Sequence, residues 1–259
     1  MNYKFCITIF CLCFHVTCRA EVIESSSIEI IKPYIEKNTW VLVDLDNCMF
    51  QCKTAYGHAN WFYDHLNERI AKGMSKEEAI TDCYPLWIES QSICEVQLLE
   101  DSFISTLQQL QHRGITILGL THRQPVVADS TLRQVINLGF DFSATSPIVA
   151  KGFSFPSKYP VLYKEGILFV GDYHKKIDVL QQFLTSCDQK PMQIIFLDDK
   201  LKNIEELEHL EKEGIRYLGV YYTAINSAPA IYDPDIARIQ TENIENRLLS
   251  NEEALLSRN

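Results

Sequence analysis

Trp40-Val41-Leu42-Val43-Asp44-Leu45-Asp46-Asn47 is the stretch that decides the fold. It is a short run of bulky, valine-rich residues from Trp40 to Leu45 that ends abruptly in Asp46-Asn47. A continuous apolar run of this length, bounded by polar residues, is the pattern of a strand buried on both faces, which is how strands of a parallel sheet are housed.

Outward from that strand, the next similar run is Ile115 to Leu120. It is preceded by Phe103, Ile104, Leu107 and Leu110 at helical spacing, with Gly114 in the position that closes a helix. Pro125 opens a helix through Leu138, and Gly139 follows it. Ile167 to Val170 reads as a strand, and Ile177, Leu180, Phe183 and Leu184 mark another helix. Gln193 to Leu197 is a strand that feeds a helix with Leu201, Ile204, Leu207 and Leu210 on one face and Gly214 past its end. Arg216 to Tyr221 is the last strand. Strands alternating with helices of this size predict an α/β fold, with a parallel sheet, right-handed crossovers and helices on both faces.

Lys53 to Glu100 interrupts the alternation; it is rich in Trp, Tyr and His, with helical stretches and no clear strand. The expected organisation is therefore an α/β core from residues 21–52 and 101–259, with a helical cap inserted at 53–100. An insertion directly after the first strand lies over the carboxyl ends of the strands, where open parallel sheets bind ligands. The polar tail from Asp233 to Asn259 reads as one surface helix with a frayed end.

A formal net charge of −10 and the lack of clustered Lys and Arg argue against a nucleic-acid partner. An acidic surface also repels anionic substrates, so phosphate chemistry here needs a local cation. At the N-terminus Lys4 supplies positive charge, Phe5 to Cys18 is uncharged and mostly apolar, and Ala20 is a small residue for cleavage. Residues 1–20 thus read as a secretory signal peptide, and the chain as exported to the periplasm or secreted. Arg19 and Glu21 end the run short of the ~20 apolar residues of a membrane span, so no stable span is expected once the leader is cleaved. An uncleaved interfacial anchor is the alternative, because Cys18 rather than Ala stands at the −3 position.

Of the nine cysteines, Cys6, Cys11, Cys13 and Cys18 fall in the leader, leaving Cys48, Cys52, Cys83, Cys94 and Cys187. Their spacing matches no disulfide framework or zinc site, and most read as small apolar filler.

The strand ends carry polar residues that a core avoids: Asp44 and Asp46, Thr121, then Asp198 and Asp199. In a parallel sheet these ends lie side by side, with Lys176 at the start of a helix beside them. Several carboxylates so close are comfortable only with a cation, and an all-oxygen acidic cluster suits magnesium. Each element alone is weak, since an Asp-x-Asp is as often a turn or helix cap. The joint order is specific.

In that order the chain resembles the haloacid dehalogenase (HAD) superfamily. Asp44-Leu45-Asp46-Asn47 looks like its first motif, Thr121 its second, Lys176 its third and Asp198-Asp199 its fourth, over a core from about Trp40 to Tyr221. The chain also resembles a group of exported bacterial HAD-like proteins that share the leader and a strand ending in Asp-Asp-Lys. The resemblance implies a Rossmann-like core with a helical cap and a Mg2+-dependent phosphatase. Asp44 would be the nucleophile that becomes an aspartyl-phosphate, and Asp46 the general acid and base. Thr121 and Lys176 would hold the phosphoryl group and its charge. The metal would sit among the Asp44 carboxylate, the Asp46 backbone carbonyl and a fourth-motif carboxylate, Asp199 or Asp198, with Asp199 favoured. His122 and Arg123 are candidate substrate-binding residues.

The expected partner is a small phosphorylated molecule under the cap. The alternatives are a catalytically silent exported scaffold and a phosphotransferase of the same fold. Within the motifs, Gly171-Asp172 is a rival fourth motif, with Lys164 or Lys151 as its third. His58, His65, Trp61, Phe62 and Tyr63 read as packing of the cap.

Overall fold

The computed structural model describes residues 20–149 and 152–257. The predicted leader up to residue 19, with Cys6, Cys11, Cys13 and Cys18, lies outside the described residues, as does Lys151 of the rival motif. Strand β1 (Glu21–Ser25) leads through a 3-10 turn into β2 (Thr39–Val43). After the site loop, β3 (Phe50–Cys52) precedes helices α1 (Ala59–Ala71) and α2 (Lys76–Ile93), and β4 (Val96–Leu98) follows them. Then come α3 (Ser102–His112), β5 (Thr116–Thr121), α4 (Ala128–Asn137), β6 (Leu162–Lys164), β7 (Ile167–Phe169) and α5 (Lys176–Ser186). The chain closes with β8 (Gln193–Asp198), α6 (Leu201–Leu207), β9 (Arg216–Tyr222), α7 (Pro234–Asn243) and α8 (Asn251–Leu256).

Seven strands form one sheet in the order β1-β9-β8-β2-β5-β7-β6, parallel throughout except for the β6–β7 pair. The α/β architecture expected from the alternation is therefore present. β2 stands between β5 and β8, so the chain winds outward on one side of it and then on the other. That reversal opens a crevice at the carboxyl end of β2, where a doubly wound sheet takes its ligand.

Alternation along β2 explains why it is buried on both faces. Val41 and Val43 join a core with Phe103 and Leu107 of α3, while Trp40 and Leu42 join a second core with Leu180 and Phe183 of α5 and Ile204 of α6. All five residues of the strand are buried.

Three expectations need correction. The insertion has strand at its ends: β3 pairs antiparallel with β4 and clamps α1 and α2 between them. The tail is two helices rather than one, and it is docked: Gln240 is fully buried and its Oε1 accepts from the Tyr56 amide at 2.8 Å, while Asn251 Oδ1 accepts from the Ala55 amide at 2.9 Å. The edge strands β1 and β6 also went unread. Both are short, β1 is polar, and neither has the continuous apolar run of a central strand.

A carboxylate and lysine cluster at the sheet switch point

Asp44 follows β2 directly, and its amide donates to Leu197 O at 2.9 Å, so the β2–β8 pairing continues into the site. Asp198 ends β8 beside it and Lys176 begins α5. Lys176 Nζ donates to Asp44 Oδ1 at 2.6 Å and to Asp198 Oδ2 at 2.7 Å, and all three side chains are buried. Burial opposes the Lys176 charge, but Asp198 and then Asp44 outweigh it and raise its pKa above the ordinary lysine value. For Asp44 burial dominates: it pushes the carboxyl up to about 6, against the pull of Lys176.

Asp44, Asp198 and Asp199 each bring a carboxylate oxygen to within 4.8 Å of the others. Their hydrogen bonding differs sharply. Asp198 is saturated by Lys176, by the Lys200 amide at 2.8 Å and by Asn203 Nδ2 at 3.0 and 2.9 Å to its two oxygens. Asp199 Oδ1 is buried and has no hydrogen-bond partner. Burial, then the charges of Asp44 and Asp198, drive the Asp199 pKa well above the carboxylate range. A buried oxygen without a donor is costly in isolation and is the atom a cation would satisfy. With Asp198 so engaged, Asp199 Oδ1 is the buried oxygen of the cluster left without a donor.

Thr121 ends β5, buried, and lines the same crevice; its Oγ1 accepts from the Arg123 amide at 3.1 Å. His122 also lines it, and burial, then Lys176 and Lys200, hold its pKa far below the usual histidine value. A neutral imidazole faces the pocket.

Arg123, a candidate substrate-binding residue, lines the same crevice, and its guanidinium is engaged by protein acceptors. Its Nε and Nη2 donate to the two oxygens of Asp46 at 2.7 and 2.8 Å, and Nη1 donates to Thr131 at 3.0 Å and Gln134 at 2.6 Å. The guanidinium is 1% exposed, and a buried cation requires such a full set of acceptors. Asp46 is held as the partner of Arg123.

The rival motif is placed elsewhere. Asp172 follows β7, which is separated from β2 by β5, and it stands outside the carboxylate cluster. It does line the pocket, together with Lys200, Asn47, Phe62, Tyr63 and Trp87. Of these, Phe62, Tyr63 and Trp87 gave no signal as site residues in the sequence. Phe62 and Trp87 pack against each other at 5.1 Å between ring centres, so they are core and pocket wall at once. Asn47 turns the chain away from the site in the left-handed region, at φ 60°, a conformation asparagine tolerates better than most residues.

Fold and site together define a doubly wound α/β protein with an oxygen-rich acidic centre neutralised by one buried lysine. By sequence it belongs to the family described as "Protein of unknown function (DUF2608)", whose model matches residues 24–255. It is 34% identical over 248 residues to a Chlamydia pneumoniae protein named "Putative outer membrane protein", covering 95% of this chain and 92% of that one. An uncharacterised Rickettsia prowazekii protein is 23% identical over 236 residues, covering 84% of this chain and 81% of its own. Among solved structures, one titled as a putative phosphatase from Clostridium difficile overlaps with a TM-score of 0.43 at 17% identity, over 83% of this chain and 100% of that one. The class C acid phosphatase of Bacillus anthracis with tungstate bound overlaps at 0.36 and 14% identity, over 84% and 82%.

Proposed function

We propose that this protein is a Mg2+-dependent phosphomonoesterase that works outside the cytoplasm on a small phosphorylated molecule, through an aspartyl-phosphate on Asp44. The observation that carries this reading is the buried Lys176 bridge between Asp44 and Asp198, with the unpartnered Asp199 oxygen beside it. One Asp44 oxygen is held by Lys176, which leaves the second for phosphorus. Bond formation there expels the alkoxide, and water later cleaves the acyl phosphate, so one hard displacement becomes two easier ones. Lys176 carries positive charge where the transferring group would add negative charge, and Thr121 stands at the end of the neighbouring strand as a hydroxyl donor. Phe62, Tyr63 and Trp87 of the insertion wall the pocket, consistent with a cap over a small substrate.

Asp44, Asp199 and the Asp46 carbonyl would hold Mg2+, with Asp198 behind them, and an all-oxygen set is what that ion takes. When bound, it would offset the carboxylate charge and polarise phosphoryl oxygens. Export is supported by the leader-like first twenty residues and by the naming of chlamydial relatives as outer membrane proteins. Among the described residues no helix is long and apolar enough to cross a membrane.

The test is phosphate release from a panel of esters, with Mg2+ and with a chelator. Release that needs Mg2+ and disappears in Asp44→Asn supports the reading, and silence on every ester sinks it. The Arg123 clamp favours a second reading, in which the chain binds ligand without turnover, because both Asp46 oxygens are engaged and a general acid must release them. Beryllium fluoride, a mimic of the phosphorylated carboxylate, separates the two: Mg2+-dependent binding lost in Asp44→Asn marks a competent nucleophile.

A further inference from the structure

We propose that Cys52 and Cys94 are a disulfide pair that closes the neck of the helical insertion. Cys52 ends β3, on the way into the insertion, and Cys94 caps α2, on the way out. The two strands of the neck pair Cys52 with Val96, and the Lys53 amide donates to Glu95 O at 2.9 Å, so the two cysteines lie on chains already side by side.

Their sulfurs converge on one turn. Cys52 Sγ is 3.0 Å from Gly57 O and Cys94 Sγ is 3.2 Å from Tyr56 O, the carbonyl of the preceding residue. Gly57 has φ +77°, and a Cβ on it would stand 2.5 Å from Cys94 Sγ, so only glycine lets the turn approach that sulfur. The neighbouring Cys52 thiol lowers the Cys94 pKa, against burial and with help from Thr54, Arg123 and Arg133, while Cys94 and burial together raise Cys52. All five cysteines of the described residues are free thiols in this structure.

The oxidant is a disulfide, either of a small thiol such as glutathione or of a thiol oxidoreductase, met while the chain folds, because both native sulfurs are buried. The Cys94 thiolate attacks one sulfur of that disulfide and expels the other as thiolate. Cys52, deprotonated, then attacks Cys94 Sγ and expels the second thiolate. Two electrons and two protons pass from the pair to the oxidant, which ends as two thiols.

The bond has a route to the site. Gln134 Nε2 donates to Cys94 O at 3.1 Å, and Gln134 Oε1 accepts from Arg123, whose fork holds Asp46. Stapling the neck fixes the backbone that this network leans on.

The test uses the full chain refolded in a mixture of reduced and oxidised glutathione, then unfolded in alkylating reagent, digested and weighed. The expected result is one peptide joining Cys52 to Cys94, lighter by two hydrogens than the sum of its parts, with Cys48, Cys83 and Cys187 alkylated. Full alkylation of Cys52 and Cys94, or their linkage to other cysteines, overturns the proposal. A second measurement needs no mapping: the oxidised chain melts roughly 10 °C above the reduced one, because the bond closes a loop of several tens of residues. That gap vanishes in Cys52→Ala and persists in Cys187→Ala. Equal melting of the oxidised and reduced chains counts against the pair.

Discussion

At the scale of single residues, the site is organised by two buried cations with different duties. Lys176 neutralises Asp44 and Asp198, and Arg123 holds Asp46. Removing one partner of a buried ion pair leaves the other charge without water or counter-charge, which costs about 3–5 kcal/mol. Lys176→Met is therefore expected to lower unfolding stability by about that amount at pH 7, read from the urea midpoint. Lys164→Met, which removes a surface pair with Asp129, should leave the midpoint where it was. Equal effects of the two would mean that the Lys176 cluster is solvated. Arg123→Lys tests the second cation. Lysine keeps the charge but has no fork, so it cannot grip both Asp46 oxygens while reaching Thr131 and Gln134. The variant should lose stability despite conserved charge, and Asp46→Asn in that background should cost less than in the wild type, a coupling that a double-mutant cycle reads directly.

At the scale of elements, α1 supplies Ala59, Phe62 and Tyr63 to the pocket wall, and its start is capped by an unusual residue. His58 Nδ1 accepts from the Asn60 amide at 3.1 Å, and Nε2 lies 3.4 Å from Gln51 Oε1. Burial holds the His58 pKa below the ordinary histidine value, with Asp46 pulling weakly the other way. The unfolded chain, near 6.5, therefore takes up the proton first, so stability is complete above that pH and falls as the solution is acidified through and below it. His58→Asn keeps a capping acceptor without the titration. The loss of urea midpoint between pH 7 and pH 5 should be smaller in this variant than in the wild type, and an unchanged loss would clear His58 of the effect. Elements also decide what could be read beforehand. The central strands were legible because each is buried on both faces, so composition alone marks them, and Asp44, Thr121, Lys176 and Asp198 were legible because they stand at element ends. What composition could not carry was pairing across the chain. Arg123 sits beside Thr121 in sequence, yet it faces Asp46 because β2 and β5 are neighbours. The β3–β4 neck is only three residues a strand, too short for alternation to register. The tail docks through the polar side chains of Gln240 and Asn251, which carry no hydrophobic signal.

At the scale of the whole molecule, an acidic chain gathers three carboxylates around one lysine at the junction of its two cores. Every strand end that meets there is fixed by an apolar sheet, so the carboxylates cannot separate to relieve their repulsion. The fold thus holds Asp199 close to Asp44 and Asp198 at a cost, which a bound divalent cation would relieve. The consequence can be tested without any substrate. Asp199→Asn removes a carboxyl whose ionisation burial and its neighbours oppose and whose buried Oδ1 has no partner, so in chelator the variant should melt above the wild type. On the proposed function, Mg2+ would bind the folded state and not the unfolded one, and should raise the wild-type melting temperature; at a hundredfold excess over the dissociation constant the gain is about 2.7 kcal/mol. The variant, with a neutral amide in place of the carboxylate, should gain less, so the two melting curves cross between chelator and saturating Mg2+. Calorimetric scans of both proteins under the two conditions would show the crossing. If Mg2+ leaves the wild type unmoved while Asp199→Asn is the more stable protein throughout, the cluster is a strained set of carboxylates neutralised by Lys176 alone.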